Sequence, residues 1–230
     1  MKSFWKQVST FAEENGWAIR LDERAIRTPA RALLVVPTEA LANAIAEEWR
    51  SLEGEIDPRA MPLTGLANAA IDRIAPDRQD FASGLAKYGE ADLACYRSQW
   101  PPELVSRQQA SWDELLAWGR RRYDVDFSTT MGLLHVPQPR ATIDRLDHAV
   151  AELDAFHLAG LSPLVLTGGS LVAALAVLEK TIGPETAWEA VSIDERWQLE
   201  HWGGDEEAVA ALESRRRDFL AGARFLDLLG

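Results

Sequence analysis

Hydrophobic and polar positions follow two rhythms along this chain, and the change falls near residue 60. Residues 16–21 (GWAIRL) alternate, 25–27 follow a charged turn, and 33–36 end at Pro37, which reads as a set of short strands. Connections of a few residues between them predict antiparallel pairing. Thr38 then has the look of an N-cap for a helix to about Leu52, with Leu41, Ile45 and Trp49 on one face. Past the proline-punctuated joint at 57–62 the alternation ends and intervals of three and four take over. Helices are predicted at 64–74, 77–93, 102–122, 140–156, 170–182, 185–202 and 205–228, with breaks at Pro76, Pro101-Pro102, Pro137 with Pro139, Pro163, Pro184 and Gly203-Gly204. Strands first and helices after predict an α+β fold. Its expected parts are a mainly antiparallel β-rich N-terminal domain with one helix over 1–62, and an all-helical C-terminal domain over 63–230. A parallel sheet with strands from beyond residue 100 would contradict it.

Residues 158–178 carry no charge and are long enough to span a bilayer. Pro163 and the cluster Thr167-Gly168-Gly169-Ser170 divide them, so the expectation is a short apolar segment, a turn, and a buried helix over about 170–181 with Ser170 near its N-cap. No membrane insertion is expected. The last helix mixes Arg215-Arg216-Arg217 with Phe219, Phe225 and Leu226, which suits a helix that caps a bundle and keeps its cations in water.

Composition narrows the function classes. The net charge of -12 argues against nucleic acid and anionic lipid, whose recognition needs clustered Lys and Arg, and suits a basic or amphipathic protein partner. Hydrophobic content of 47% with 26% charged residues is that of a globular chain, not a disordered one. The single cysteine, Cys95, allows no internal disulfide and fits a reducing compartment. The start, MKSFWKQVST, has neither a secretory h-region nor a transit-peptide pattern, so a bacterial cytoplasmic location is expected.

Catalytic motifs fail in turn. The 167–170 cluster lacks the P-loop lysine, no Gly-x-Gly-x-x-Gly run follows a strand, and Ser170 is not in a Gly-x-Ser-x-Gly elbow. A helix N-terminus at Ser170 offers an anion site or simply a cap. His135, His148, His157 and His201 lack metal-ligand spacing. Cys95, beside Arg97, reads either as a thiol of lowered pKa or as a buried structural one. No cofactor, metal or small-molecule substrate is expected.

The most informative stretch is 194–208, DERWQLEHWGGDEEA. On one continuous helix Trp188, Val191, Glu195, Gln198 and Trp202 share a stripe. A carboxylate in an apolar stripe needs a partner, a wet cleft or a function, since burying it unpaired costs several kcal/mol. Lys6, Arg24 and Arg27 are candidate partners within the chain. The residues alone leave three readings of Glu195 open: a core network, protein contact, or a general base in a cleft between the sheet and helical parts.

The same stretch resembles a known signature. Asp194-Glu195, Trp197-Gln198, Trp202-Gly203, Asp205 and Glu207 are similar to the C-terminal motif of the assembly chaperones for the alpha subunit of F1-ATPase, found in mitochondria and related bacteria. The resemblance extends through Phe4-Trp5-Lys6, Leu21-Asp22 with Arg24, Arg27-Thr28-Pro29, Glu48-Trp49, Ile56-Asp57-Pro58 and Met61-Pro62-Leu63-Thr64 with Asn68. It continues through Tyr88, Asp92-Leu93, Cys95-Tyr96-Arg97, Gln108, Trp112-Asp113, Gln138-Pro139 and Gly169-Ser170. Glu23 departs from it, standing where the family usually has a turn glycine. The resemblance implies a non-enzymatic, ATP-independent chaperone whose partner is the F1 alpha subunit. It moves Glu195 toward partner contact, with Asp194, Gln198, Trp202 and Asp205 as further candidate partner-binding residues. The rival expectation is a small hydrolase or lyase using Glu195; a structural adaptor for another partner is the third.

Overall fold

The computed structural model describes residues 5–52, 57–132 and 134–230. Ile56 and the other expectations that fall on residues 1–4, 53–56 and 133 lie outside the described residues. The chain divides into two compact units, the first formed by residues up to Arg78 with Asp154–Gly160 and Arg224–Gly230, the second by Gln79–Leu153 and Leu161–Ala223.

The first unit holds the antiparallel sheet. Strand β1 (Val8–Glu13) pairs with β2 (Gly16–Leu21) across the two-residue turn Glu14-Asn15, with Val8 opposite Leu21 and Glu13 opposite Gly16. Strand β2 also pairs antiparallel with β3 (Arg24–Ala25) and with β4 (Val35–Val36). Strand β1 was not among the expected strands, because Ser9, Thr10 and the Glu13-Glu14 end blur its alternation. Gly16 is required at the first turn: its φ is +145°, and a Cβ there would lie 2.3 Å from the Val36 carbonyl oxygen. At the second turn Asp22, not Glu23, takes the left-handed conformation, with φ 53°. Its carboxylate accepts the Lys6 and Gln7 N–H groups, both at 2.9 Å, and these bonds hold it below the usual carboxylate range.

Helix α1 (Glu39–Arg50) starts at Thr38 as expected, whose Oγ1 accepts the Leu41 N–H at 3.1 Å. It buries Leu41, Ala42, Ile45 and Ala46; Ala18, Ile19, Leu34 and Val36 of the sheet region are equally enclosed. Helix α2 (Pro62–Ala69) is tied to α1 through Glu48, whose carboxylate accepts the N–H groups of Leu63 and Thr64 at 2.8 Å and the Thr64 hydroxyl at 2.7 Å. An anion on the first N–H groups of a helix satisfies donors that have no partner inside it. For this reason the compact unit runs past residue 62, where the expected division fell.

In the second unit, α3 (Arg78–Ala86) leads through 3-10 turns to β5 (Tyr96–Arg97), then α4 (Pro102–Tyr123). Strand β6 (Thr130–Met131) pairs parallel with β5. The C-terminal part is therefore not wholly helical, although two residues per strand make no sheet layer. Helices α5 (Arg140–Ala151), α6 (Ala155–Gly168), α7 (Leu171–Leu178), α8 (Pro184–Val191), α9 (Ile193–Trp202) and α10 (Glu206–Asp227) follow.

Two predicted helices are divided. The one over 140–156 ends early because Asp154 starts a new helix, its Oδ1 accepting the N–H groups of Phe156 and His157. The one over 185–202 breaks at Ser192 (φ -108°, ψ 15°), a buried residue whose hydroxyl donates to the Trp188 carbonyl at 2.7 Å. The apolar segment before Gly169 is helical rather than an irregular run. Enclosure of Leu158, Leu161, Leu164 and Val165 outweighs the hydrogen bond that Pro163 cannot make. Gly169, with φ +67°, ends α6, and Ser170 caps α7, accepting the Ala173 N–H at 3.0 Å. Helix α7 is buried from Leu171 to Val177. Among the described residues no helix is long and apolar enough to cross a membrane.

Candidate partner-binding site

Four of the five candidate residues lie on a helix that is shorter and differently turned than the pattern implied. With the break at Ser192, Trp188 and Val191 belong to α8 and are buried, while α9 buries Ile193 and Trp197 instead. Glu195 and Gln198 therefore do not continue an apolar stripe. Gln198 is exposed, and Trp202, at the end of α9, is 77% exposed where Trp197 is 5%. Gly203, with φ +71°, stops the helix immediately after.

Asp194 is half-buried at the start of α9. Its Oδ1 accepts Gln108 Nε2 at 2.7 Å. Burial pushes its carboxyl above the usual range; the Gln108 bond opposes this, and the neighbouring Glu195 charge adds to it. Gln108 is fully buried on α4, and its Oε1 accepts the Ser98 N–H at 2.8 Å while Nε2 also reaches Ser98 Oγ at 3.0 Å. One turn on, Trp112 Nε1 donates to the Ala190 carbonyl at 2.7 Å. Buried Arg97 donates to the carbonyls of Ala94 and Gln108, and its Nη2 lies 2.8 Å from Asp113 Oδ1 off the hydrogen-bond direction. Residues scattered between 94 and 194 in sequence thus form one polar network.

Glu195 finds its partner in α10. Arg215 Nη1 donates to Glu195 Oε1 at 2.8 Å and Nη2 to the Thr167 carbonyl at 2.8 Å. That partner is not one of the expected Lys6, Arg24 and Arg27, which belong to the other compact unit; Arg27 Nη1 donates to the Arg31 carbonyl at 2.8 Å. The Glu195 and Arg215 side chains remain 39% and 40% exposed, so the carboxylate is neither locked in a core nor enclosed in a cavity. Asp205 is exposed and caps the start of α10, its Oδ1 accepting the Ala208 N–H at 2.7 Å. Around them, Arg107 pairs with Glu200 at 2.7 Å with its guanidinium 4.8 Å from the Trp197 ring, and His201 stacks on that ring. Arg107 and Arg215 escaped the sequence reading because nothing local links residues 20 or more positions apart.

Two clefts of about 540 and 880 Å³ lie elsewhere in this unit, the first lined by Trp118, Glu114 and Arg121, the second by Tyr123, Arg145, His148 and Glu179. Glu195 lines neither. Asp92 is fully buried, and its carboxylate accepts the Ser170 hydroxyl and the N–H groups of Ala94 and Val172, so it fills the anion position at the N-terminus of α7. Burial, partly opposed by these bonds, raises its pKa. Cys95 is not an activated thiol: burial, then the Asp92 charge, push it up to about 12. No group of three metal-binding side chains occurs among the described residues.

An exposed indole at one end of α9 and half-exposed carboxylates at the other leave this helix open to solvent rather than enclosed in a cleft. The chain belongs to the ATP12 chaperone family, whose pattern matches residues 2–120. Atp12 from Paracoccus denitrificans is 43% identical and superposes with a TM-score of 0.94 over 100% of this chain and 98% of its own. A chaperone candidate from Agrobacterium tumefaciens is 35% identical, with a TM-score of 0.94 over 100% of this chain and 86% of that one. The mitochondrial protein atp12 of Schizosaccharomyces pombe is 23% identical over 219 residues, 90% of this chain and 75% of its own length.

Proposed function

We propose that this chain is an ATP-independent chaperone that binds the unassembled alpha subunit of F1-ATPase and yields it to the beta subunit. Family membership makes it a chaperone of ATP synthase assembly. The observation that carries the binding site is the contrast between Trp197, enclosed against Arg107, and Trp202, left in water at the far end of the same helix from the half-exposed Asp194 and Glu195. Leaving a tryptophan exposed forgoes burial worth about 1.5–3 kcal/mol, a cost recovered when a partner covers it. An unassembled subunit exposes an apolar interface that aggregates, and an acidic binder shields it and keeps the complex soluble. Release needs only that beta bind better.

Glu195, Asp194, Gln198, Trp202 and Asp205 are the proposed contacts, with Asp205 also serving as a helix cap. The proposed location is the bacterial cytoplasm, where newly made alpha subunit is met. Co-expression tests the reading: alpha subunit should become soluble in a one-to-one complex that added beta dissociates, with or without ATP. Alpha subunit that stays insoluble, or release that requires ATP, would overturn it.

A further inference from the structure

We propose that the outer edge of strand β1 pairs with an extended segment of the partner chain, adding a fifth strand to the four-stranded sheet of the first unit. That the partner is the alpha subunit rests on the function proposed above. Strand β1 pairs with β2 alone and has six residues, against two each in β3 and β4, so it is the sheet's longest edge. The Asp22 N–H donates to the Gln7 carbonyl at 2.8 Å, and Gln7 directly precedes the register in which Val8 faces Leu21. Antiparallel ladders alternate, so Ser9, Phe11 and Glu13 turn their N–H and C=O groups toward β2, and Val8, Thr10 and Ala12 turn theirs outward. The far side of β2 keeps the same phase: the Ile19 carbonyl accepts the Ile26 N–H at 2.9 Å, away from β1. Arg50 Nη2 donates to the Val8 carbonyl at 3.2 Å, and among the described residues no other hydrogen bond reaches the outer backbone groups of β1.

Edge strands are ordinarily shielded by Lys or Pro, by a bulge or by a covering segment, because an open row of donors and acceptors recruits another chain. Strand β1 (VSTFAE) has neither Lys nor Pro, and its register with β2 runs unbroken from Val8 to Glu13, so it has no bulge. Arg20 lies over the Phe11 ring, its guanidinium carbon 3.6 Å from the centroid, so what this edge offers is backbone and not an apolar patch. The backbone also says what fits. Donors and acceptors that repeat every second residue, about 6.8 Å apart, match an extended chain, whereas a helix has already paired its own. Charge chooses the source of that chain. Each copy of this protein carries -12, and Glu13 and Glu14 stand at the hairpin end of β1, so a second copy is repelled where a neutral or basic segment is not. An unassembled subunit presents strands that still lack neighbours, and pairing through backbone demands no particular side chain of them. Thr10 and Ala12 supply two donors and two acceptors to such a strand, and Arg50 on the Val8 carbonyl marks where the open edge stops.

The test is hydrogen exchange, read residue by residue, on the full chain alone and with purified F1-ATPase alpha subunit diluted from urea. The Thr10 and Ala12 amides should exchange freely in the chain alone and slow on the order of tenfold or more in the complex. Those of Ser9 and Phe11, already paired to β2, should be protected in both. Ala12→Pro removes one outward donor and leaves the β1–β2 ladder whole, as proline on an edge strand can. This variant should melt with the wild type and bind alpha on the order of tenfold more weakly. If it fails to fold, exchange in the wild-type complex decides alone. A complex in which the Thr10 and Ala12 amides exchange as fast as in the free chain overturns the proposal. So does protection that appears without alpha as the chain is concentrated, since the occupant would then be a second copy. If no complex with alpha forms at all, the proposed function falls and this occupant with it, an outcome distinct from the other two.

Discussion

Replacing Glu195 with glutamine separates a structural carboxylate from a recognition carboxylate. Glutamine keeps the shape and an oxygen acceptor for Arg215 Nη1, now 2.8 Å away, but removes the charge. Arg215 retains its second bond, to the Thr167 carbonyl. With both side chains about two-fifths exposed, solvent screens the pair, and exposed ion pairs contribute about 0–1 kcal/mol. A buried charged hydrogen bond would be worth about 1.5–3 kcal/mol. The expected loss of stability is therefore under about 1 kcal/mol, a melting shift of less than about 4 °C in a chain of this length. Removing a carboxylate that loses its water on binding should cost about 2 kcal/mol, roughly thirtyfold in Kd. Calorimetric melting and titration with purified alpha subunit read the two quantities. Arg215→Ala, which breaks the same pair and leaves the carboxylate, should bind alpha nearly normally. A Glu195→Gln protein that melts more than about 5 °C lower and binds alpha normally would refute the reasoning, and one unchanged in both respects would remove the residue from the site.

Other outcomes follow from the buried polar groups. Gln108→Leu should cost about 2–4 kcal/mol in urea titration, because Ser98 and Asp194 lose their partners together; a loss under about 1 kcal/mol would show that water replaces the amide. Asp92→Ala should cost about 3 kcal/mol or more and fray α7 in hydrogen exchange, since the N–H groups of Ala94 and Val172 lose their acceptor; unchanged protection there would count against the cap. Cys95, its pKa raised from 9.0 to about 12, should resist thiol reagents at pH 8 until the protein is unfolded. The raised value means that its contribution to stability is complete below pH 9 and is lost as pH climbs toward 12, so Cys95→Ala should flatten the stability profile in that window.

What the sequence discloses depends on whether a residue's role is local. Thr38 and Ser170 were legible as caps because capping joins residues three apart, and helix α7 because seven successive buried apolar positions need no partner to be recognised. Strand β1 was missed because its alternation is blurred by residues whose inner face only the neighbouring strand defines. The break at Ser192 was missed because neither Gly nor Pro marks it. A buried serine bonding back to the Trp188 carbonyl bends the chain with no composition signal. That one break misassigned the stripe, since periodicity assumes a single helix.

The two tryptophans of α9 show why function resists periodicity. Both lie in the same acidic decapeptide and both are five residues apart in a helix, yet one is enclosed and the other is not. Their difference is decided by Arg107 and His201, which cover the Trp197 ring, and by Gly203, which ends the helix before anything can cover Trp202. An exposed indole is marked by what the fold fails to lay over it, and that absence leaves no trace in the spacing of its own segment.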